Sequence, residues 1–181
     1  MKRTAMLLGL TAALAAGGVS TAAAGQDSAE ETGALAQYEG KTINLAESWE
    51  GADVCRQQAS GELNCWDEAD EALTAAGSEV GIQAASDCTA SYFCLWDGAN
   101  FTGARLELPM DTFLDLLSNY GFEDRASSVY NRSVYFAQLF DNDYSDFPSL
   151  AVAPGSQYSD LNTLSHPYGG TWNDRADLAI F

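Results

Sequence analysis

A nine-residue segment of this chain occurs twice, in related but not identical form. Gly121–Val129 is GFEDRASSV, and Thr171–Ala179, which begins fifty residues later, is TWNDRADLA. A looser echo lies upstream of each copy, with the pattern WxxxxFxG starting at Trp96 and the pattern LxxxxYxD starting at Leu139. Similarity at a fixed period is the signature of a duplicated structural unit, so these segments predict two copies of a motif of about fifty residues.

The chain after Cys88 is a succession of short strand-like segments separated by turns. Tyr92–Trp96 is an apolar run that ends at a turn, and Ala104–Leu108 alternates between apolar and polar residues. Many short strands at such spacing are typical of an antiparallel sandwich, so we predict an all-β fold. Two more strands are predicted at 127–130 and 134–140. One short helical turn, capped by Asp111, is predicted at 111–119.

Four cysteines are present, namely Cys55, Cys65, Cys88 and Cys94. An even number in an exported chain favours two disulfides, and four cysteines permit three pairings. Proximity along the chain favours Cys55–Cys65 and Cys88–Cys94, each of which closes a short loop. A zinc site is the rival interpretation, but neither pair has the spacing of a zinc knuckle and the chain has one His.

The first 24 residues are typical of a secretory signal peptide. Lys2 and Arg3 precede an apolar run, Ala5–Ala16, and the stretch ends in the small residues of Thr21–Ala24. The run is too short for a membrane span, and no later segment is long or apolar enough for one. We therefore predict a secreted, extracellular protein whose mature chain begins near Gly25.

Residues 25–86 are predicted to form a small acidic N-terminal module. Two short runs flank Ser60-Gly61 and indicate a hairpin over 53–66, clipped by its cysteine pair. Asp67 is a suitable cap for a helix over 67–76, with Gly77 as its stop. This module has few apolar residues for a core of its own, so we expect it to pack against the domain formed by residues 87–181.

The charge balance excludes one class of partner. The chain has 181 residues, 26 Asp and Glu against 8 Lys and Arg, and a formal net charge of -18. Such a charge repels phosphate backbones, so no nucleic-acid partner is expected. The charge keeps the chain soluble, and we expect a monomer.

Motifs of hydrolytic enzymes are missing from the sequence. No Gly-x-Ser-x-Gly, His-Glu-x-x-His or Gly-rich phosphate loop occurs, so we predict that the protein is not an enzyme and has no catalytic residues. His166 lies in a Ser-His-Pro turn and is expected to be a solvated loop residue. Asn100-Phe101-Thr102 and Asn131-Arg132-Ser133 fit the glycosylation pattern, which is frequent by chance.

The order of these motifs resembles a known family. An aromatic-x4-aromatic-x-Gly pattern followed by an acid-acid-x-x-Ser-Ser stretch is similar to the βγ-crystallin Greek-key motif. Together with a signal peptide and a cysteine-bearing start, it resembles the Streptomyces metalloproteinase inhibitor family. The resemblance covers residues 87–181 and implies a two-motif βγ-crystallin-like Greek-key sandwich, with motifs at about 90–133 and 134–181. In the second motif, Asp146 stands at the Gly position and Asp177-Leu178 replaces Ser-Ser.

The structural residues of the first motif are Trp96, Phe101, Gly103 and Ser128. A glycine at 103 permits a positive φ where the hairpin folds over its sheet. Trp96 and Phe101 are expected to cover that fold as a small apolar corner. The hydroxyl of Ser127 is expected to bond to the bent backbone.

The acid-acid stretches also predict a weak calcium site, the one cofactor expected here. Calcium prefers hard oxygen ligands, and the loops of the two motifs supply them from Glu123, Asp124, Ser127, Asn173 and Asp174. The site is expected to centre on Asp124 and Ser127. In the alternative interpretation, Asp124 and Asp174 pair with nearby arginines or backbone amides and bind no ion.

Two functions remain open on these observations. The resemblance implies a secreted peptidase inhibitor that binds a protease, with a metalloprotease favoured as the partner. The alternative is a calcium-binding extracellular structural module. No cysteine follows Cys94, so the disulfide-bordered inhibitory loop of that family has no counterpart and its residues are unknown. The stretch Asp146–Tyr158 is the best loop candidate by composition, and an ordinary connection between strands is the simpler interpretation.

Overall fold

The computed structural model describes residues 33–67, 85–110 and 114–181. The predicted signal peptide lies outside the described residues, and so does the predicted helix over 67–76 apart from its first residue. No helix within these three ranges is long and apolar enough to cross a membrane.

The described residues form twelve strands and three short 3₁₀ turns. The turns are Ala85–Asp87, Leu117–Tyr120 and Leu161–Thr163. The strands are β1 Leu35–Tyr38, β2 Lys41–Asn44, β3 Val54–Gln57, β4 Leu63–Trp66, β5 Tyr92–Gly98, β6 Thr102–Pro109, β7 Leu114–Leu116, β8 Ser128–Asn131, β9 Ala137–Phe140, β10 Ser149–Val152, β11 Gln157–Tyr158 and β12 Leu178–Ile180.

The two motifs exchange one strand each. The first sheet contains β11-β8-β5-β6, and the second has the order β10-β9-β12-β7. Strand β11 of the second motif therefore lies in the sheet of the first motif, and β7 lies in the sheet of the second. This interlocked arrangement confirms the predicted two-motif Greek-key sandwich.

The N-terminal strands extend the first sheet. Strand β3 pairs in parallel with β6, and β4, β1 and β2 lie successively outward from β3 to complete eight strands. The predicted hairpin is confirmed as β3–β4, in which Cys55 and Cys65 lie directly opposite each other and form a disulfide. The second disulfide joins Cys88 to Cys94, so the pairing favoured by chain proximity is the one observed.

A buried group of charges lies where β3 meets β6. The Arg56 Nε lies 2.6 Å from one oxygen of Glu107, and the Arg105 Nε lies 2.8 Å from the other. Arg105 and Glu107 are fully buried. Because a buried carboxylate without its partners carries a large desolvation penalty, this group ties the N-terminal strands to the Greek-key domain.

Two apolar clusters lie on opposite faces of the first sheet. The larger one fills the sandwich and includes Phe93, Leu108, Val129 and Leu139, which are fully buried. The smaller one covers the outer face and consists of Cys88, Cys94, Trp96 and Phe101. Strand β5 therefore has no solvated face, which explains its continuous apolar run.

The first folded hairpin has the predicted corner. Gly103 has a φ of 80°, and the rings of Trp96 and Phe101 meet edge to face at 5.2 Å. Ser128 fixes the bend, since its hydroxyl donates to the Gly98 carbonyl at 2.7 Å and accepts from the Phe101 N–H at 3.0 Å. The prediction that the Ser127 hydroxyl bonds to the bent backbone was wrong. Successive residues along a strand face opposite sides of the sheet, so Ser127 and Ser128 point in different directions.

The second hairpin is offset by one residue from the sequence echo. Ser128 lies opposite Trp96, and Leu178 lies opposite Phe140, so the counterpart of Trp96 is Phe140 and not Leu139. The same offset places Phe147, with a φ of 49°, at the position of Gly103. The predicted counterparts Leu139 and Asp146 were therefore wrong, because one residue of slip in a strand reverses its face.

Two predicted elements differ from those observed. The stretch 114–120 is strand β7 followed by a 3₁₀ turn, while 111–113 lie outside the described residues. Strand β9 begins at Ala137, so residues 134–136 of the predicted strand 134–140 form a loop instead. Their apolar character suggested a strand, but hydrogen bonds from the Asn131 and Ser133 side chains hold this segment outside the sheet.

Two glycines offer a matched test of the first hairpin. A Cβ on Gly103 would lie 2.0 Å from an oxygen of Asp97, whereas one on Gly155, whose φ is 70°, would meet nothing within 4 Å. Gly155→Ala should lower the free energy of unfolding by about 1–2 kcal/mol, the cost of left-handed backbone. Gly103→Ala should lose a further ~1–3 kcal/mol from the clash. Urea unfolding measures both, and equal losses would contradict the folded-hairpin account.

Candidate functional site

The two repeated segments meet around a pseudo-twofold axis. The N–H of Asp124 donates to the carbonyl of Ala176, and the N–H of Asp174 donates to the carbonyl of Ala126, each at 3.0 Å. Both aspartates have left-handed backbone, with φ values of 54° and 53°. The duplication seen in the sequence is therefore a structural symmetry, and it generates two similar polar corners.

The first corner contains Ser127 and Asp174. The Ser127 hydroxyl donates to one carboxylate oxygen of Asp174 at 3.3 Å, and the Asn173 amide donates to the other at 2.6 Å. Both oxygens of this carboxylate thus have protein partners. Burial nevertheless raises the pKa of Asp174, and the Ser127 bond opposes that shift.

The second corner contains Asp124 together with three acids that the sequence analysis missed. One oxygen each from Asp141, Asp143 and Asp177 lie within 4.8 Å of one another. Burial raises the pKa of Asp124, and Asp143, Glu123 and Asp141 add to the rise through their charge. The geometry thus divides the predicted calcium ligands, with Ser127, Asn173 and Asp174 in one corner and Asp124 in the other.

A sequence signal for the missed acids exists in retrospect. Asp177 occupies the position equivalent to Ser127, and Asp141-Asn142-Asp143 begins the second hairpin. The departure from Ser at 177 therefore adds a carboxylate to the second corner. The sequence alone shows only that the second motif lacks the serine at position 177. It does not show that the fold brings 141–143 next to that position.

The arginines of the repeats do not pair as the alternative interpretation expected. Arg125 contacts Asp97 at 2.8 Å, and Arg175 lies 3.6 Å from Asp141. Asp97 and Asp141 occupy equivalent positions, one residue after Trp96 and Phe140. Each arginine thus braces the hairpin of its own motif, and the charge of Arg175 also opposes the rise in the pKa of Asp124.

His166 was predicted to be solvated, and this was wrong. It is buried, its ring meets Trp172 edge to face at 4.7 Å, and its Nε2 lies 3.3 Å from an oxygen of Asp141. The Tyr168 N–H donates to its Nδ1 at 3.3 Å. The burial results from the aromatic residues around it, which include the ring of Tyr144 at 5.7 Å, distant in sequence.

The second corner should make stability depend on pH. Burial raises the pKa of Asp177 to about 6, and the charges of Asp124, Asp141 and Glu123 contribute. Because the folded state binds this proton more tightly than the unfolded chain, its stabilising effect is complete below about pH 4 and lost as the pH rises through about 6. In chelator, wild type should lose on the order of 1–3 kcal/mol more over this range than Asp177→Asn.

This pH effect is checked by urea unfolding at a series of pH values. Glu47→Gln removes an exposed carboxylate far from the corner in sequence and should follow the wild-type curve. If Asp177→Asn also follows the wild-type curve, the raised pKa is refuted.

The predicted loop candidate, 146–158, includes two short strands. It contains β10 and β11, each paired within a sheet of the sandwich. The simpler interpretation, a connection between strands, describes most of this stretch. The most exposed large apolar side chains of the described residues lie outside this stretch, at Val134, Tyr135 and Phe136, which are 79%, 61% and 67% exposed.

Part of the chain is similar to a known protein family. Residues 81–146 match the model of peptidase inhibitor family I36. The matched segment includes the whole first motif and the start of the second hairpin. The match confirms the family resemblance and the predicted peptidase-inhibitor function.

One solved structure is similar to part of the chain. The structure described as "Evolution of the eye lens beta-gamma-crystallin domain fold" is similar to this chain, with 23% identity and a TM-score of 0.40. The alignment covers 57% of this chain and 91% of that one. No curated protein sequence matches the chain.

Proposed function

We propose that this protein is secreted and inhibits an extracellular metalloprotease. The observation that carries the proposal is the match of residues 81–146 to the I36 peptidase inhibitors. Two disulfides in the described part of the chain support an oxidising, extracellular location. The amino-terminal signal-peptide pattern supports export in the same way.

The fold suits an inhibitor physically. An inhibitor must hold a binding loop in place, because little ordering entropy is then lost on association. Here the loops project from two interlocked sheets, and the Cys88–Cys94 disulfide closes the segment that leads into β5. The net charge of -18 also favours approach to a cleft that contains a zinc cation.

The proposal is tested by titrating purified protein into a thermolysin-like metalloprotease, a serine protease and a cysteine protease. We expect near-stoichiometric loss of metalloprotease activity while the inhibitor stays intact by mass spectrometry. Reduced and alkylated protein is the control and should be digested. Loss of serine or cysteine protease activity alone would move the target to another class, and digestion by all three would refute inhibition.

A calcium-binding role is the second candidate, and the cluster of Asp141, Asp143 and Asp177 favours it. The three carboxylates supply hard oxygens of the kind calcium prefers, within 4.8 Å of one another. Backbone N–H groups already bond to two of these carboxylates. The Asn142 N–H donates to the carboxylate of Asp177, and the Asp143 N–H donates to the carboxylate of Asp141 at 2.9 Å. The remaining oxygens fit a weak site, of the affinity found in extracellular modules.

One pair of variants distinguishes the two corners. Millimolar calcium should raise the melting temperature of wild type relative to chelator, because an ion that binds only the folded state stabilises it. Asp143→Asn, which changes an exposed carboxylate of the second corner, should abolish the shift. Ser127→Ala, in the first corner, should retain it. The reverse result would place calcium beside Asp174, and no shift in wild type would exclude a calcium site.

A further inference from the structure

The connection between β8 and β9 presents three large apolar side chains to solvent. It runs from Arg132 to Phe136, and its last three residues are Val134, Tyr135 and Phe136. Their exposed fractions are the highest among the large apolar residues that the structure describes. Adjacent apolar side chains that remain exposed in this way mark an interaction site.

The loop is held in place by Asn131, whose side chain is completely buried. Its amide nitrogen donates to the carbonyl of Tyr135 at 2.8 Å and to the carbonyl of Val152 at 2.9 Å. Its amide oxygen accepts from the hydroxyl of Ser133 at 2.7 Å and from the Ser133 N–H at 3.1 Å. All four hydrogen-bonding positions of this amide are thus used, and three of the four bonds join it to the loop.

Ser133 extends this bonding along the loop. Its hydroxyl oxygen accepts from the Tyr135 N–H at 3.1 Å, so one buried serine bonds to residues on either side of Val134. Here the backbone conformation is fixed by polar contacts beneath the loop, and the apolar side chains therefore point outward.

The base of the loop is anchored to the second disulfide. The backbone N–H of Arg132 donates to the backbone carbonyl of Tyr92 at 3.0 Å. The backbone carbonyl of Arg132 accepts from the backbone N–H of Ser91 at 2.9 Å. The Arg132 guanidinium donates to the carbonyl of Cys88, and to that of Ser86 at 2.9 Å. The loop is thus continuous with a disulfide-closed segment although it contains no cysteine.

The glycosylation pattern at Asn131-Arg132-Ser133 has another explanation. A glycan on Asn131 would replace an amide hydrogen that bonds to a backbone carbonyl inside the protein. The asparagine and serine of this triplet are both buried and bonded to each other. The triplet is therefore the brace of the loop and not an acceptor for sugar.

We propose that Val134, Tyr135 and Phe136 form the segment that enters the substrate cleft of the target peptidase. This inference rests on the proposed inhibitory function and names its contact surface. The segment is short, exposed and held by hydrogen bonds, and its side chains suit a cleft that accepts large apolar residues. It also lies within residues 81–146, the part of the chain that matches the inhibitor family.

Other occupants fit less well. A stable dimer interface buries about 1,200–2,000 Å² in total, far more than three side chains on one loop provide. A membrane surface is disfavoured because the net charge of -18 is repelled by anionic lipid headgroups. A protease cleft requires only a short segment with well-ordered side chains.

The contact residues are tested by inhibition constants against the protease that wild type inhibits. Tyr135→Ala and Phe136→Ala should each weaken inhibition by at least about tenfold, as expected for a buried anchor at an interface. Both side chains are exposed, so the melting temperature should stay unchanged. Phe147→Ala is the matched control, since Phe147 is 50% exposed on the second hairpin, and it should inhibit like wild type.

The brace is tested separately through Ser133→Ala, which leaves the three exposed side chains in place. This variant should inhibit more weakly and be cut by the protease within 132–136, because a loosened loop is a substrate. Mass spectrometry of the digestion products locates the cut, and a circular-dichroism spectrum identical to wild type shows that the fold is kept.

The outcomes separate this inference from the proposed function. If wild type inhibits, but Tyr135→Ala and Phe136→Ala inhibit equally well, the loop assignment is overturned and the inhibitory function stands. If Phe147→Ala alone loses inhibition, the second hairpin is the contact surface. If wild type inhibits no protease, both the function and the loop assignment are refuted.

Discussion

The exchange of β7 and β11 between the two motifs is the constraint on which the other features depend. Neither motif can complete its sheet without a strand from the other, and reciprocal bonds between Asp124 and Ala176 and between Asp174 and Ala126 hold the crossover. Because the core lies between the two sheets, the loops at their edges need not contribute to it. The fold therefore leaves the side chains of Val134, Tyr135 and Phe136 exposed.

The two corners show how one duplicated segment acquires two chemistries. In the first, Ser127 and Asn173 satisfy the carboxylate of Asp174. In the second, the position equivalent to Ser127 is Asp177, and burial among other acids raises its pKa. The same backbone thus supports a hydrogen-bonded corner and a cluster of carboxylates. The corners differ at two positions, since Asp177 replaces the equivalent of Ser127 and Asp143 replaces the equivalent of Ala99.

The connection at 132–136 shows a different use of the same scaffold. Disulfides commonly stiffen loops in small secreted proteins, but here a buried asparagine and a buried serine do so. Satisfied polar networks of this kind specify one conformation, since any other would leave buried donors without partners. A loop held in this way can expose Tyr135 and Phe136 without losing its shape.

Local patterns were sufficient for much of the fold. The repeat predicted two motifs, and the spacing of the cysteines favoured the observed pairs. The hairpin turn at Ser60-Gly61 and the left-handed Gly103 were also visible in the chain. Each of these depends on contacts between residues that are near in sequence or related by the repeat. By itself the sequence therefore determined the two-motif β architecture, the disulfide pairs and the resemblance to a family of peptidase inhibitors.

Tertiary structure alone decided the roles of residues whose partners are far away. Val134–Phe136 looked like part of a strand, and bonds from Asn131 and Ser133 make it an exposed loop. His166 looked solvated, and Trp172 and Asp141 bury it. The physical reason is the same in both cases. Burial and hydrogen bonding depend on which segments the strand exchange brings together, and a chain of short strands does not reveal those neighbours.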